Sequence, residues 1–279
     1  MKEPNVAQIR LREADELPSV LEKNDELQAK LKGKTPAVFL DYDGCLSPIV
    51  KDPDKAILSP EMKQVLKDLA KVCKVAVVSG RDRQNVQNLV QLENLYFAGS
   101  HGFDITGPDN MQAEPGGASA ALVALEKAEK ELQELLREVE GSLVERKKYA
   151  IAVHYRNVAD AQVAQVQAAV TQVLAQHEAL KEGLGKKVIE LKPNLDWHKG
   201  KAVLWLMQEL GLDEQQVVPM YIGDDITDED AFKTLQGRGI TILVGSHDDK
   251  TAADYSLEDV AQVQQFLSDL TQTIKRENG

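Results

Sequence analysis

Short, continuously apolar runs that each stop at a small polar residue, a glycine or an acid constrain this chain most. "TPAVFL" runs into Asp41, "KVAVV" into Ser79, "LYFAG" into Ser100, "VPMYIG" into Asp224 and "ITILV" into Gly245. A half-exposed strand alternates apolar and polar side chains, whereas a strand covered on both faces does not. Between these runs lie segments of helical periodicity. "SPEMKQVLKDLAKV" has Ser59 placed to cap and Pro60 in its first turn, and "RQNVQNLVQ" follows the second run. Strand and helix in alternation, with buried strands, predict an α/β chain built on a parallel sheet covered on both faces.

The pattern breaks after "HGFDITGPDN" and resumes at "DWHKGKA". In between, "ASAALVALEKAEKELQELLREVEG" and "DAQVAQVQAAVTQVLAQHEALK" read as long helices. "SLVERKK", "YAIAVHYRNV" and "KKVIELKP" read as strands. The expected organisation is a core over residues 1–106 and 194–279, interrupted by an inserted α+β unit over 107–193. A helix is expected from about Leu17 to Leu31.

Composition removes several classes. A net charge of −12 opposes binding to nucleic acid or anionic membranes. No apolar run approaches the roughly 20 residues that span a bilayer, and the N-terminal stretch has no signal-peptide core. Two cysteines, Cys45 and Cys73, lie in no metal-binding or redox spacing. The expectation is a cytoplasmic, monomeric enzyme acting on a small molecule.

Which chemistry follows from the strand ends. Asp41 and Asp43, two apart, point the same way on a strand, an arrangement that like charge opposes unless a cation or proton is shared. A later strand ends in Gly223-Asp224-Asp225. Carboxylates from two strands favour a hard, oxygen-liganded cation, Mg2+. Ser79 with Gly80, and Lys199 at the start of a helix, supply the hydroxyl and ammonium that phosphate oxygens take. For an isolated acid pair the plainer reading is a helix cap or solvated turn, and "GDDITDEDAF" also places acids at a helix start. Trp197, Trp205 and His154 read as packing residues, and His177 and His247 as surface.

"DYDGCLSPIV", "VVSGRDR", "KGKA" and "IGDDITDEDAF", in this order, resemble the four motifs of the haloacid-dehalogenase-like phosphohydrolases. With "AGSHGFDI", "VHYRNV" and "DWHKGKA", the chain resembles the trehalose-6-phosphate phosphatase family within them. The resemblance implies a Rossmann-like core with a cap inserted between the second and third motifs. It implies Asp41 as nucleophile and Asp43 as acid and base. Mg2+ would sit on the Asp41 carboxylate, the Asp43 carbonyl and Asp224, supported by Asp225 and Asp228. Ser79, Gly80 and Lys199 would bind phosphate, with Arg81, His101 and Gly102 as further substrate contacts in the core. In the cap, Glu145, Lys147, Arg156, Asn157, Lys186 and Glu190 would meet the sugar, their plainer role being solvated strand edges. Cys45 departs from the family's usual threonine, and its thiol is the weaker hydrogen-bond donor.

The resemblance implies a sugar-phosphate substrate, with trehalose-6-phosphate synthase as a separate pathway partner. With 35 or so residues before the first motif, no fused synthase domain is expected. Phosphatases of sucrose phosphate or glucosylglycerol phosphate, and a catalytically silent regulatory partner of a synthase, remain open at this point.

Overall fold

The computed structural model describes residues 9–50, 55–185 and 187–277. It divides into one unit of Met1–Gln112 and Trp197–Gly279 and a second of Ala113–Asp196. In the first stretch, α1 (Asn24–Leu31) and β1 (Thr35–Leu40) are followed by α2 (Pro60–Leu69) and β2 (Lys74–Val78). Then come α3 (Arg83–Val90), β3 (Tyr96–Gly99), β4 (Asp104–Thr106) and β5 (Gln112–Ala113). The second unit holds α4 (Ala118–Leu135), β6 (Leu143–Lys147), β7 (Ala150–His154), α5 (Asp160–Leu174), β8 (Leu180–Gly185) and β9 (Val188–Pro193). The chain returns with α6 (Lys199–Glu209), β10 (Val217–Gly223), α7 (Glu229–Leu235), β11 (Ile240–Val244), β12 (Tyr255–Leu257) and α8 (Val260–Glu277).

The first unit is an eight-stranded sheet in the order β12-β11-β10-β1-β2-β3-β4-β5. It is parallel from β12 to β3 and turns antiparallel at β4. Its central strands are buried along nearly their whole length, as their unbroken apolar sequences require. Ser59 caps α2 by accepting the Met62 N–H at 3.0 Å, which sets Met62, Leu66 and Leu69 into the core.

Two expectations fail for identifiable reasons. The helix expected from Leu17 is a single turn at Val20–Glu22 and then α1. Pro18 and Ser19 stay extended because they run beside Ser256, whose N–H donates to the Pro18 carbonyl at 3.0 Å, covering the sheet's open β12 edge. In the insert, α5 stops at Leu174 rather than near Lys181, and "LKEGLG" becomes strand β8. Its glycines argue against a strand locally; pairing along β9 overrides that preference.

The insert's sheet has the order β6-β7-β9-β8, antiparallel throughout. Ile151, Val153, Ile189 and Leu191 pack with α4 and α5 residues such as Leu125, Leu132, Val166 and Val170. Strand alternation leaves Glu145, Lys147, His154 and Glu190 to the other face.

Candidate active site

Strands β1 and β10 are neighbours, with Leu40 opposite Ile222, and the Asp41 N–H continues the ladder onto the Ile222 carbonyl at 2.9 Å. From this pair the chain leaves to opposite sides, toward β2 and toward β11, so a crevice opens at their carboxyl ends. Asp41 and Asp224 are delivered there together. Gly44, at φ 74°, lies so close that a Cβ on it would stand 1.9 Å from Asp224 Oδ2. Glycine is therefore required both for the turn and for the approach. A Cβ on Gly223 would likewise fall 2.3 Å from Asp228 Cγ.

Lys199 opens α6, buried to 2% exposure, and its ammonium bridges Asp41 Oδ2 at 2.9 Å and Asp228 Oδ1 at 2.7 Å. The residue before it, His198, caps the helix by accepting the Lys201 N–H on Nδ1 at 3.4 Å. Burial alone would lower the Lys199 pKa, but the two carboxylates facing it carry it well above its ordinary value. Burial, reinforced by Asp228 and opposed by Lys199, pushes the Asp41 carboxyl up to about 7. Asp224, with no Lys or Arg ion pair among the described residues, is pushed up to about 8, first by burial and then by Asp41 and Asp228.

Three carboxylates thus cluster about one ammonium, which pairs with two of them, Asp41 and Asp228. Ligand oxygens of Asp41, Asp224 and Asp228 lie within 4.8 Å of one another. Asp228 is saturated: Oδ1 receives Lys199 and the Tyr221 hydroxyl at 2.6 Å, and Oδ2 receives the Asp224 and Asp225 N–H groups at 3.2 and 3.1 Å. Lone pairs remain on Asp41 and Asp224. Excess negative charge, all-oxygen donors and partial burial fit a hard divalent cation. Asp225 is exposed and accepts the Ile226 N–H at 2.7 Å.

Ser79, 1% exposed, ends β2 and accepts the Arg81 N–H on Oγ at 3.1 Å. The His101 N–H donates to the Ser79 carbonyl at 2.9 Å and the Ser100 N–H to the Arg81 carbonyl at 2.7 Å. The loop holding His101 and Gly102 is therefore tied to the Ser79-Gly80-Arg81 loop, and the His101 ring occupies the space a Cβ on Gly80 would take. The Arg81 guanidinium grips both Asp43 oxygens at 2.6 Å and reaches Asn85 Oδ1 at 3.0 Å. Cys45 is buried with Sγ 4.0 Å from Asp224 Oδ1, and burial pushes its thiol well up, leaving no thiolate for nucleophilic use.

Sequence reading passed over Tyr221, whose only signal was a hydroxyl in an otherwise apolar strand, and His198. It set His154 among packing residues, whereas the structure places its ring, 39% exposed, against Glu145. His177 and His247 are mostly buried, facing Glu131 and Glu229. In the insert, Arg156 and Asn157 are exposed in the turn after β7, and Lys147 pairs with Glu190 at 3.5 Å. Lys186 lies outside the described residues.

A sequence profile of the trehalose-phosphatase family matches residues 39–261. A trehalose-phosphate phosphatase of Mycobacterium bovis is 41% identical over 280 residues, covering 97% of this chain and 71% of that protein. Two Mycobacterium tuberculosis proteins described as uncharacterized glycosyl hydrolases are 44% identical over 260 residues, 91% of this chain, which spans only 20% of their length. The structure of the C. albicans trehalose-6-phosphate phosphatase C-terminal domain superposes with a TM-score of 0.72 at 25% identity, over 92% of this chain and 99% of that one. With more than half of the residues inside the family profile, and the profile's span enclosing the Asp41, Ser79 and Asp224 strand ends and Lys199 at the start of α6, this chain belongs to the trehalose-phosphatase family.

Proposed function

We propose that the chain hydrolyses trehalose 6-phosphate to trehalose and phosphate through an aspartyl-phosphate on Asp41. The observation that carries this reading is the buried Asp41 carboxylate at the end of β1, held on one oxygen by Lys199, in a chain of this family. Asp41 attacks phosphorus and the phosphorus–oxygen bond to the sugar breaks, while Asp43 gives the departing sugar oxygen a proton. Water then attacks the phosphoryl group, Asp43 takes its proton, and Asp41 leaves as carboxylate. Ser79, the Gly80 backbone and Lys199 bind phosphoryl oxygens, with His101 and Gly102 beside them.

Arg81 holds Asp43 until substrate arrives; its guanidinium then transfers to the phosphate, freeing Asp43 for proton transfer. The Asp41 and Asp224 carboxylates and the Asp43 carbonyl would hold Mg2+, which would supply neutralisation of the transferring group's charge. Asp228 and Asp225 order the Asp224 loop. Glu145, Lys147, Arg156, Asn157, Lys186 and Glu190 of the insert recognise the sugar hydroxyls.

The test is phosphate release from trehalose 6-phosphate, sucrose 6-phosphate and glucosylglycerol phosphate, with Mg2+ or chelator, for the native chain and Asp41→Asn. Preference for trehalose 6-phosphate, lost on chelation and lowered at least roughly 10³-fold in the variant, is expected. Preference for another glycosyl phosphate would overturn the substrate, and full activity in Asp41→Asn would overturn the nucleophile.

A further inference from the structure

The face of the insert's sheet turned away from α4 and α5 is organised around a buried alanine, Ala152. Across the ladder Glu145 stands opposite Ala152, Ala152 opposite Glu190, and Glu190 opposite Gly183. Two carboxylates therefore alternate with two small residues, Ala152 and Gly183. Both carboxylates are already held. Lys147 Nζ lies 3.5 Å from Glu190 Oε1, and His154 Nε2 lies 2.8 Å from Glu145 Oε2.

His154 faces Leu143 in the register, which makes it the diagonal neighbour of Glu145 on the same face, within reach of a ring. With side chains 39% and 48% exposed, neither His154 nor Glu145 is a buried group in need of a partner, since water would serve each as well. The contact's consequence is orientation. A glutamate at a surface has several rotamers to lose on binding a ligand; one held before binding loses fewer. Among the described residues, no hydrogen bond or ion pair reaches Glu145 Oε1.

We infer that His154 is a positioning residue for sugar recognition: it fixes Glu145 so that Oε1 accepts a hydrogen from a hydroxyl of the non-reacting glucosyl ring. The inference rests on the reading of the chain as a sugar-phosphate phosphatase whose insert binds the sugar. It adds a residue that touches no reacting atom.

The experiment compares kcat and KM for trehalose 6-phosphate in the native protein, His154→Ala, His154→Gln, Glu145→Ala and the Glu145→Ala/His154→Ala double variant. His154→Ala is expected to raise KM roughly ten-fold with kcat within about two-fold. His154→Gln, which keeps a donor, is expected to recover most of that loss. In the Glu145→Ala background the histidine change should add less than about two-fold, because its effect runs through the glutamate. An unchanged KM in His154→Ala, a fall in kcat alone, or a full additional loss in the double variant would each overturn the inference. A native protein that releases phosphate from p-nitrophenyl phosphate but not from trehalose 6-phosphate would overturn the underlying substrate reading instead, and the inference with it.

Discussion

If Asp224 holds the metal as proposed, its burial sets stability against function, and Asp224→Asn separates the two. Burial and two neighbouring carboxylates raise its carboxyl from 3.8 to about 8. Between those values the folded protein holds a proton that the unfolded chain has released. Stability therefore falls as pH rises through that window and the penalty is complete above about 8. Roughly four pH units at about 1.36 kcal/mol each set a ceiling near 6 kcal/mol. Because Asp224 is partly open to solvent, a realistic figure is about 2–3 kcal/mol. In chelator at pH 8, Asp224→Asn should melt about 5–10 °C above the native protein, at roughly 2–4 °C per kcal/mol. The difference should shrink at pH 5.5, where the native carboxyl is protonated. Asp41, raised to about 7, pushes in the same direction, while Glu26 and Asp68, held below their ordinary values first by hydrogen bonds from Tyr255 and Lys71, push the opposite way. Mg2+ should stabilise the native protein and leave the variant's melting nearly unmoved, and phosphatase activity should fall at least about 100-fold in the variant. Thermal melting at both pH values, with chelator and with Mg2+, reads all of this. A variant that melts at or below the native protein in chelator at pH 8 would refute the account of an uncompensated carboxylate.

Two further substitutions probe the same cluster from other sides. Lys199→Met keeps the apolar stem and removes the charge between Asp41 and Asp228; urea unfolding at pH 8 should show a loss of about 3–5 kcal/mol, with activity abolished, and a loss under about 1 kcal/mol would count against a structural share for the ammonium. Cys45→Thr replaces a thiol 4.0 Å from Asp224 with a better donor; kcat should rise by no more than a few-fold at unchanged melting temperature, and a ten-fold fall would mean the thiol has a role that a hydroxyl cannot fill.

What was legible in the sequence was whatever is fixed within one short segment. The central strands announced themselves because both faces are covered, so every residue from Ala37 to Leu40 is apolar and buried. The strands that escaped notice, β4, β5, β8 and β12, are short or lie at sheet edges. There a partner strand, not composition, decides the backbone. "LKEGLG" and "YSL" carry too little apolar surface to be told from loop, and only their pairing with β9 and β11 makes them strands.

The site divides along the same line. Each acid, hydroxyl and ammonium could be picked out because it sits where a strand ends or a helix begins, but their partners come from elsewhere in the fold. Arg81 lies 38 residues from the Asp43 it grips, and Lys199 lies 29 from Asp228. No local pattern pairs Arg81 with Asp43 or Lys199 with Asp41. The His154–Glu145 contact stands between these cases. β6 ends at Lys147 and β7 starts at Ala150, so a two-residue turn joins them and pairs Lys147 with Ala150. Once that turn is fixed, counting outward sets Glu145 against Ala152 and Leu143 against His154, which puts His154 and Glu145 on one face. What hid the pair was the turn itself: Lys148-Tyr149 carries no Asn-Gly or Asp-Gly signature to mark a two-residue hairpin. Register, and with it the His154–Glu145 pair, was one turn assignment away from the sequence.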